Sequence, residues 1–471
     1  MKKLLVPFAI LVAILSVMAL ASCGHIHTLS EPVIENEVDP TCRKDGSYDE
    51  VIYCTECENE LARTKKKIDR LPHEFVDGIC SVCGFKQSES SKGLAFILNP
   101  DGSSYSLQRI GSCTDENIVI GTYNDLPVTK ILYGALEGCR NIKSILIYDS
   151  VQEIEAYAFR DCSSLESINI PEGVSIINYE TFKGCTSLKS IEFPDSVYEI
   201  DAGAFRNCTS LANVTLKDTL YKIGSNAFSY CESFTEVSIP KNVAVVGSDA
   251  FSHCIELSNV IFADGVTEIG AYAFYNCPKI KEIDLPYSIH TIGNSAFLNC
   301  SGLETVTMQN NVGLIGSSAF SGCTSLSSIT LSSSISQIHT SAFYQCESLV
   351  SIELPESIIS IGNNVFSSCT ALVEVVFPDS LSIIGTATFL GCTSLERVTF
   401  GEGLTVLGAE TFVGCDKLDS VLFKSTKGWW SLEEPSATQG NRVSESVFTN
   451  PKQTAVYMQN VYVNRHLKRE V

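Results

Sequence analysis

The chain has 471 residues, a formal net charge of −21 and twenty cysteines. This excess of negative charge disfavours nucleic acid as a partner, because proteins that bind phosphate backbones need basic grooves. Residues 465–469 are locally basic. We interpret the acidity as a means of keeping a large surface soluble. Calcium binding is the alternative, but no D-x-D-x-D-G loop supports it.

The first 23 residues have the composition of an export signal. Met1-Lys2-Lys3 precede an apolar run from Leu4 to Leu20, and no second hydrophobic span follows this run. The run is either a signal-anchor helix that stays in the membrane or a signal cleaved just before Cys23. It ends in Leu20-Ala21-Ser22-Cys23, which resembles the lipobox of bacterial lipoproteins, and we therefore favour cleavage. The resemblance implies that Cys23 carries acyl chains and anchors the mature chain to a membrane.

Residues 24–87 form a Cys/His-rich segment in which two C-x-x-C pairs indicate a zinc-ribbon-like module. A two-residue gap lets both thiolates of a tight turn reach one zinc ion. One grouping of ligands is Cys54, Cys57, Cys80 and Cys83. The other places one ion on His27, Cys42, Cys54 and Cys57, and leaves a three-ligand remainder of His73, Cys80 and Cys83. The alternative to zinc is a pair of disulfides, as in many exported proteins.

Residues 88–92 are small and polar, and we interpret them as a linker to a repeat region. From Cys139 to Cys415, thirteen cysteines recur at intervals of 23 residues. A phenylalanine lies three residues before each cysteine except the first, which has Leu136 there, and apolar residues follow at the third, sixth and eighth positions. The alternation at the sixth and eighth positions predicts a strand. Each unit is thus one strand plus a short return segment, and it can bury its apolar side chains only against neighbouring copies.

The repeat cysteines lie between columns of Phe and Leu that must face the core, so we interpret the thiols as small buried hydrophobic groups. Burial would make them unreactive. Disulfides between successive coils are the alternative, because stacked coils bring the cysteine Cα atoms within disulfide range.

The repeat, which ends in A-F-x-x-C, resembles that of the BspA-type leucine-rich repeat proteins, and the resemblance covers about residues 93–471. It implies an α/β-type solenoid, a leucine-rich repeat rod of about fourteen coils with a parallel sheet, in which residues 139–423 are the repeats. It further implies a hairpin cap and a first irregular coil over residues 93–138, with Asn99-Pro100-Asp101-Gly102 as the turn. Residues 424–471 would form the C-terminal cap that the open end of a solenoid requires.

The positions five, seven and nine residues after each cysteine are expected to face outward from the predicted strand, on the usual binding face of such solenoids. These columns are mostly small and polar. Acidic side chains at three of these positions favour a basic partner or a cation: Glu236, Glu282 and Asp284. Tyr148 and Arg397 are further candidates, because Tyr and Arg are enriched in binding hot spots.

BspA-type proteins are associated with adhesion to matrix proteins and with coaggregation, so the resemblance implies an exported, lipid-anchored module at the bacterial cell surface that binds a protein or polymer. Its expected partners are the membrane, through the lipid, and host or bacterial surface proteins, and we expect a monomer. The alternative is a structural spacer of the envelope without a specific ligand. We expect no enzyme, because no phosphate loop, nucleophile elbow, H-E-x-x-H motif or clustered acid pair appears.

Overall fold

The computed structural model describes residues 30–38, 46–55, 60–68, 75–76, 79–80, 89–433 and 440–470. The chain divides into two compact units, residues 1–86 and 87–471. Within the described ranges, no helix is long and apolar enough to cross a membrane.

The first unit contains a three-stranded antiparallel sheet whose strands follow chain order, Val33–Val38, Gly46–Tyr53 and Glu60–Ile68. A separate antiparallel pair is formed by Phe75–Val76 and Ile79–Cys80. Charged side chains bridge the three strands, since Arg63 lies 3.0 Å from Glu35, 3.0 Å from Asp49 and 2.7 Å from Glu60. Among the residues of this unit that are described with side chains, the only buried hydrophobic ones are Val51 and Cys54. The sheet therefore has very little core of its own.

The second unit begins with an antiparallel hairpin of strands Ala95–Leu98 and Tyr105–Arg109. The turn between them is closed by a hydrogen bond from the backbone N–H of Gly102 to the carbonyl of Asn99. Residues 89–91, which we expected to be linker, hydrogen bond to residues 119–122 of the first coil. This stretch is therefore part of the second unit.

Each coil contributes a strand to what we call the first ladder, formed by residues five to eight positions after the cysteine. It has thirteen short strands and one bridge residue, Ser351, which makes fourteen coils. The ladder is hydrogen bonded as separate small parallel sheets of two or three strands. Its strands are Asn117–Ile120, Ser144–Ile147, Ser167–Ile168, Ser190–Ile191, Asn213–Val214, Glu236–Ile239, Asn259–Phe262, Glu282–Leu285, Thr305–Met308, Ser328–Thr330, Glu374–Val376, Arg397–Phe400 and Ser420–Phe423.

The return segment contains a second strand of two residues, and these strands form the second ladder. Eleven of them pair in parallel without interruption from Ile176–Ile177 to Val406–Leu407. Between these two lie Glu199–Ile200, Lys222–Ile223, Val245–Val246, Glu268–Ile269, Thr291–Ile292, Leu314–Ile315, Gln337–Ile338, Ser360–Ile361 and Ile383–Ile384. At the N-terminal end, Glu153–Ile154 pairs with Leu126–Ile131, which also pairs with Thr122–Tyr123 and with the hairpin. The continuous parallel sheet is therefore in the return segment and not in the predicted strand.

The rest of each coil, from about seven residues before the cysteine to three after it, is a run of β-turns that we call the turn segment. The residues five and one before each cysteine have positive φ, between 48° and 76°. Alternate N–H groups bond three residues back, as Cys162 does to Phe159, and the others bond to the next coil, as Phe159 does to Thr181. Left-handed residues every fourth position are incompatible with an α-helix. The α/β-type interpretation is therefore wrong for the repeats, which contain strands and turns.

The core is a continuous stack of identical side chains. Phenylalanine rings three residues before the cysteine are fully buried or nearly so, and successive rings from Phe159 to Phe412 lie 5.1 to 5.8 Å apart and within 19° of parallel. Parallel in-register coils force equal side chains on top of one another. This explains why the repeat keeps one residue type at this position over twelve coils.

The C-terminal residues end this stack. Trp429–Leu432 and His466–Arg469 pair antiparallel with each other, and His466–Arg469 also pairs antiparallel with the last strand of the second ladder. Asn441–Arg442, the 3-10 helix Glu445–Val447 and the α-helix Pro451–Asn460 lie between them. Trp429 is buried against Phe423, with ring centroids 5.3 Å apart. The end of the core is thereby covered by aromatic side chains and by a change of strand direction.

Candidate functional site

The three predicted acidic residues lie on the outward side of the first ladder. Glu236, Glu282 and Asp284 are exposed, whereas the residues that alternate with them, such as Val237 and Ile283, are buried. We call these three residues the acidic patch. Strand Asn259–Phe262 lies between the two strands that carry them and presents Ile261, whose side chain is 53% exposed. The patch is therefore a group of carboxylates around an exposed aliphatic side chain.

The carboxylates of the acidic patch are not neutralised within the described part of the chain, where none has a cation within ion-pair distance. Nearby acids do have partners, since Glu256 lies 3.2 Å from Lys279 and Glu304 lies 3.8 Å from Lys281. Unpaired carboxylates on a flat sheet surface leave a local negative potential. A basic group on a partner would be attracted to it.

Arg397 and Tyr148 are not part of this patch. The guanidinium of Arg397 lies 3.0 Å from Glu374 and 3.0 Å from Glu396, and hydrogen bonding to Glu374 is the main cause of its raised pKa. Arg397 lies five coils from Glu282 and Tyr148 lies four coils from Glu236, which corresponds to roughly 24 and 19 Å at 4.8 Å per coil. Tyr148 is half-buried. The structure thus separates two predicted residues from the other three.

The repeat cysteines are packing groups with a specific contact. Twelve of the thirteen are buried free thiols, and Cys139 is half-buried. In each coil after the first, the Sγ–H donates to the carbonyl three residues before the cysteine of the preceding coil, as Cys254 does to Phe228 at 3.2 Å. Burial raises the pKa of the Cys254 thiol to about 12. These thiols are therefore protonated and unreactive at neutral pH.

Cys113, which fits no sequence pattern, is buried in the core at the start of the cysteine column. Its thiol is close enough to Cys139 to contribute to the raised pKa of that residue, after burial, which is the main cause. Cys113 thus extends the column toward the N-terminal hairpin.

The predicted zinc ligands lie mostly outside the described residues. Cys54 directly follows the strand Gly46–Tyr53 and is 1% exposed. Cys80 is described only as backbone of the strand Ile79–Cys80. Among the residues described with side chains, no three His, Cys, Asp or Glu come together as a metal site. Outside the described ranges lie His27, Cys42, Cys57, His73 and Cys83, as does the predicted lipid anchor Cys23.

Sequence reasoning did not identify the second ladder or its outward column. That column includes Glu199, Lys222, Val245, Glu268 and Leu314, and among the described residues it forms the longest continuous strand surface. The signal for it is the V-x-x-I spacing that follows the proline of each unit. A strand of two residues is too short to show an alternating pattern.

Comparison with known families identifies the repeat. The family model described as BspA type leucine rich repeat region matches residues 116–235, 221–349 and 313–428. The chain belongs to the BspA-type leucine-rich repeat family. The match covers both ladders of nearly all coils and begins after the N-terminal hairpin.

The chain is also similar to solved structures of bacterial leucine-rich repeat proteins. A leucine-rich repeat protein from Bacteroides ovatus is 31% identical, covering 70% of this chain and 93% of its own, with a TM-score of 0.59. A leucine rich cell surface protein from Faecalibacterium prausnitzii is 25% identical over 72% of this chain and 95% of its own, with a TM-score of 0.44. No curated protein matches the chain.

Proposed function

We propose that this BspA-type protein is a lipid-anchored, cell-surface binding protein that recognises a protein or polymer ligand through the first ladder. The observation that supports it best is the acidic patch around Ile261, where unpaired carboxylates border an exposed apolar side chain. Protein interfaces combine an apolar centre with a polar rim in this way. The expected ligand carries basic residues next to an apolar one.

Binding of the purified chain to immobilised fibronectin, to fibrinogen and to intact cells tests the proposal. The double variant Glu282→Lys, Asp284→Lys should weaken saturable binding at least tenfold, because it reverses the potential of the patch. The matched control is Ser351→Lys with Glu353→Lys, which changes the same two columns three coils away. Equal loss in both double variants would place the site elsewhere. Absence of saturable binding to any of these surfaces would favour the structural spacer.

The anchor is proposed to be the lipidated Cys23. Metabolic labelling with a clickable fatty acid should label the wild-type chain and not Cys23→Ala. The label should stay with the mature N-terminus. An unlabelled wild-type chain would refute lipid anchoring. Protease treatment of intact cells would then report whether the second unit is exposed outside the cell.

The first unit is proposed to hold zinc through its C-x-x-C pairs. Its described sheet has two buried hydrophobic side chains, and a unit with so small a core needs a metal or disulfides for stability. Cys54 is buried at the end of a strand, where its thiolate could serve as a ligand in both groupings. The remaining candidates are Cys57, Cys80, Cys83, Cys42, His73 and His27. Bound zinc would supply a structural link and no chemistry on a substrate.

A further inference from the structure

The turn segments carry a cleft of about 310 Å³ between Arg206 and Tyr275. Its floor is formed by Ser229 and Ser252, which are buried and joined by an Oγ–Oγ hydrogen bond of 2.8 Å. Arg206, Ser229, Ser252 and Tyr275 occupy the same position in four successive coils, two residues before the cysteine. Two short side chains between two long ones leave a gap that the long ones close at both ends. We call this gap the serine cleft.

Aromatic rings line part of the serine cleft. The ring of Tyr230 stacks on that of His253 with centroids 4.2 Å apart and planes 7° apart, and His253 meets Tyr275 edge-on at 4.8 Å. Asn276 fixes the imidazole through a 3.1 Å contact with its Nδ1. Burial lowers the pKa of His253, so the ring is neutral at pH 7. The cleft is therefore partly lined by a continuous series of uncharged aromatic rings.

Polar side chains line the rest of the serine cleft. Asn226 and Asp249 lie five residues before successive cysteines. Burial raises the pKa of Asp249, while Arg206 acts in the opposite direction. The buried Nε–H of Arg206 has no hydrogen-bond partner in the described residues. The Nε–H of Arg160, in the same column, also lacks a hydrogen-bond partner, but its guanidinium lies 3.5 to 3.7 Å from the carboxylates of Glu137, Asp161 and Glu180. Arg206 is thus a donor without an acceptor at the edge of a cavity.

From this arrangement we propose that the serine cleft binds a neutral saccharide of one or two pyranose rings. A pyranose has an apolar C–H face that packs on aromatic rings and hydroxyls that hydrogen bond to carboxylate, amide and guanidinium groups. The cavity volume lies at the lower end of the range for small-molecule sites, and four coil positions span roughly 14 Å, enough for two rings.

The charges of the cleft disfavour an ionic ligand. Arg206 would repel an organic cation, which aromatic surfaces otherwise attract, and Asp249 would repel an anion. A neutral ligand avoids both repulsions, and its oxygen atoms can accept a hydrogen bond from the unpartnered Nε–H of Arg206. This site is in the turn segments and does not depend on the acidic patch of the first ladder.

Saturation-transfer NMR on the purified full chain tests the proposal. The probes are glucose, galactose, mannose, N-acetylglucosamine, cellobiose and lactose, with tetramethylammonium and inorganic phosphate as ionic comparisons. We expect transfer to at least one sugar and to neither ion. Asp249→Asn and Tyr230→Ala should each weaken the binding of that sugar at least tenfold.

Matched variants in the same columns provide the controls. Arg206→Gln should weaken sugar binding, whereas Arg160→Gln should not. Tyr275→Ala should weaken it, whereas Tyr344→Ala, three coils later, should not. Asp249→Asn removes only a charge on a half-buried side chain, so it keeps the test valid if an aromatic variant fails to fold. Failure of all six sugars to bind, transfer to either ion instead, or sugar binding that survives the cleft variants would overturn the proposal.

Discussion

The two units of this protein differ in how their cysteines are spaced and packed. In the second unit the core runs without a break from Leu94 to Leu467, and the thiols are part of it. In the first unit Val51 and Cys54 are the only buried hydrophobic residues among those described with side chains, and four cysteines occur in two C-x-x-C pairs. A long solenoid gains burial with each coil, whereas a small sheet cannot bury enough apolar surface alone. The comparison teaches that the spacing of a cysteine, and not its abundance, indicates its role.

Removal of zinc should have the largest effect, and it should be confined to the first unit. Apparent binding free energies of structural zinc are about 10 kcal/mol or more at pH 7, so chelation under reducing conditions should unfold this unit. Hydrogen exchange should then accelerate in residues 46–53 and 60–68 and remain unchanged in the repeats. Cys54→Ser should reproduce the effect, while Cys113→Ser should leave the zinc content unchanged. Unchanged protection after chelation and reduction would contradict the zinc site.

Truncation of one ring in the phenylalanine stack should have the next largest effect. Phe274 is fully buried, with neighbouring rings 5.5 and 5.4 Å away. Phe274→Ala should lower the free energy of unfolding of the second unit by about 3–5 kcal/mol, because it leaves a cavity in the core. Chemical denaturation followed by circular dichroism measures this change. The exposed Tyr287 provides the control, since Tyr287→Ala should have little effect; equal effects of the two substitutions would contradict the stack as the source of stability.

Loss of one repeat thiol should destabilise the second unit less than loss of a phenylalanine ring. Cys254→Ala removes a buried sulfur and its hydrogen bond to the carbonyl of Phe228, which should lower the free energy of unfolding by about 1–2 kcal/mol. Cys139→Ala is the matched control, because this thiol is half-buried and makes only a long contact of 4.0 Å with the carbonyl of Glu137. A smaller loss of unfolding free energy for Cys254→Ala than for Cys139→Ala would show that the hydrogen bond of the buried thiol does not stabilise the rod.

Exposed ion pairs between coils should have the smallest effect. Lys189 lies 2.8 Å from Glu166, but both side chains are largely exposed, and solvent screens such pairs. Lys189→Ala should leave the denaturation midpoint unchanged within error. A clear shift would show that surface charge, in addition to the core, sets the stability of the rod.

Much of the fold could be predicted from the sequence because the repeat constrains each column thirteen times. The spacing of Phe159 and Cys162 is enough to indicate a stacked core. The second ladder could not be predicted, because a strand such as Glu199–Ile200 is too short to show a period of two. The left-handed residues also escaped prediction. Tyr157 and Glu180 have φ of 61° and 48°, although such side chains rarely adopt this conformation, and the contacts between coils impose it.

The candidate sites were less predictable than the fold. Glu236, Glu282 and Asp284 could be placed on one face from their columns alone. The ion pair of Arg397 with Glu374 joins the same position in two successive coils. It could be predicted from the sequence, because the two residues are 23 positions apart. The serine cleft depends on two short residues between two long ones in a column that had no assigned function. A search of every column for such breaks in side-chain size would have found it.

Residue-resolved thiol labelling tests most directly the claim that the cysteines fall into two classes. The native chain would be alkylated at pH 8, with reductant, with and without a zinc chelator, and each cysteine quantified by mass spectrometry. A thiol whose pKa is about 12, as burial makes that of Cys254, is ionised only to about one part in ten thousand at this pH. We predict that the repeat cysteines from Cys162 to Cys415 stay unlabelled in both conditions, and that Cys54, Cys57, Cys80 and Cys83 become labelled only with the chelator. Labelling of the repeat cysteines in the native chain, or of the C-x-x-C pairs without the chelator, would contradict the account.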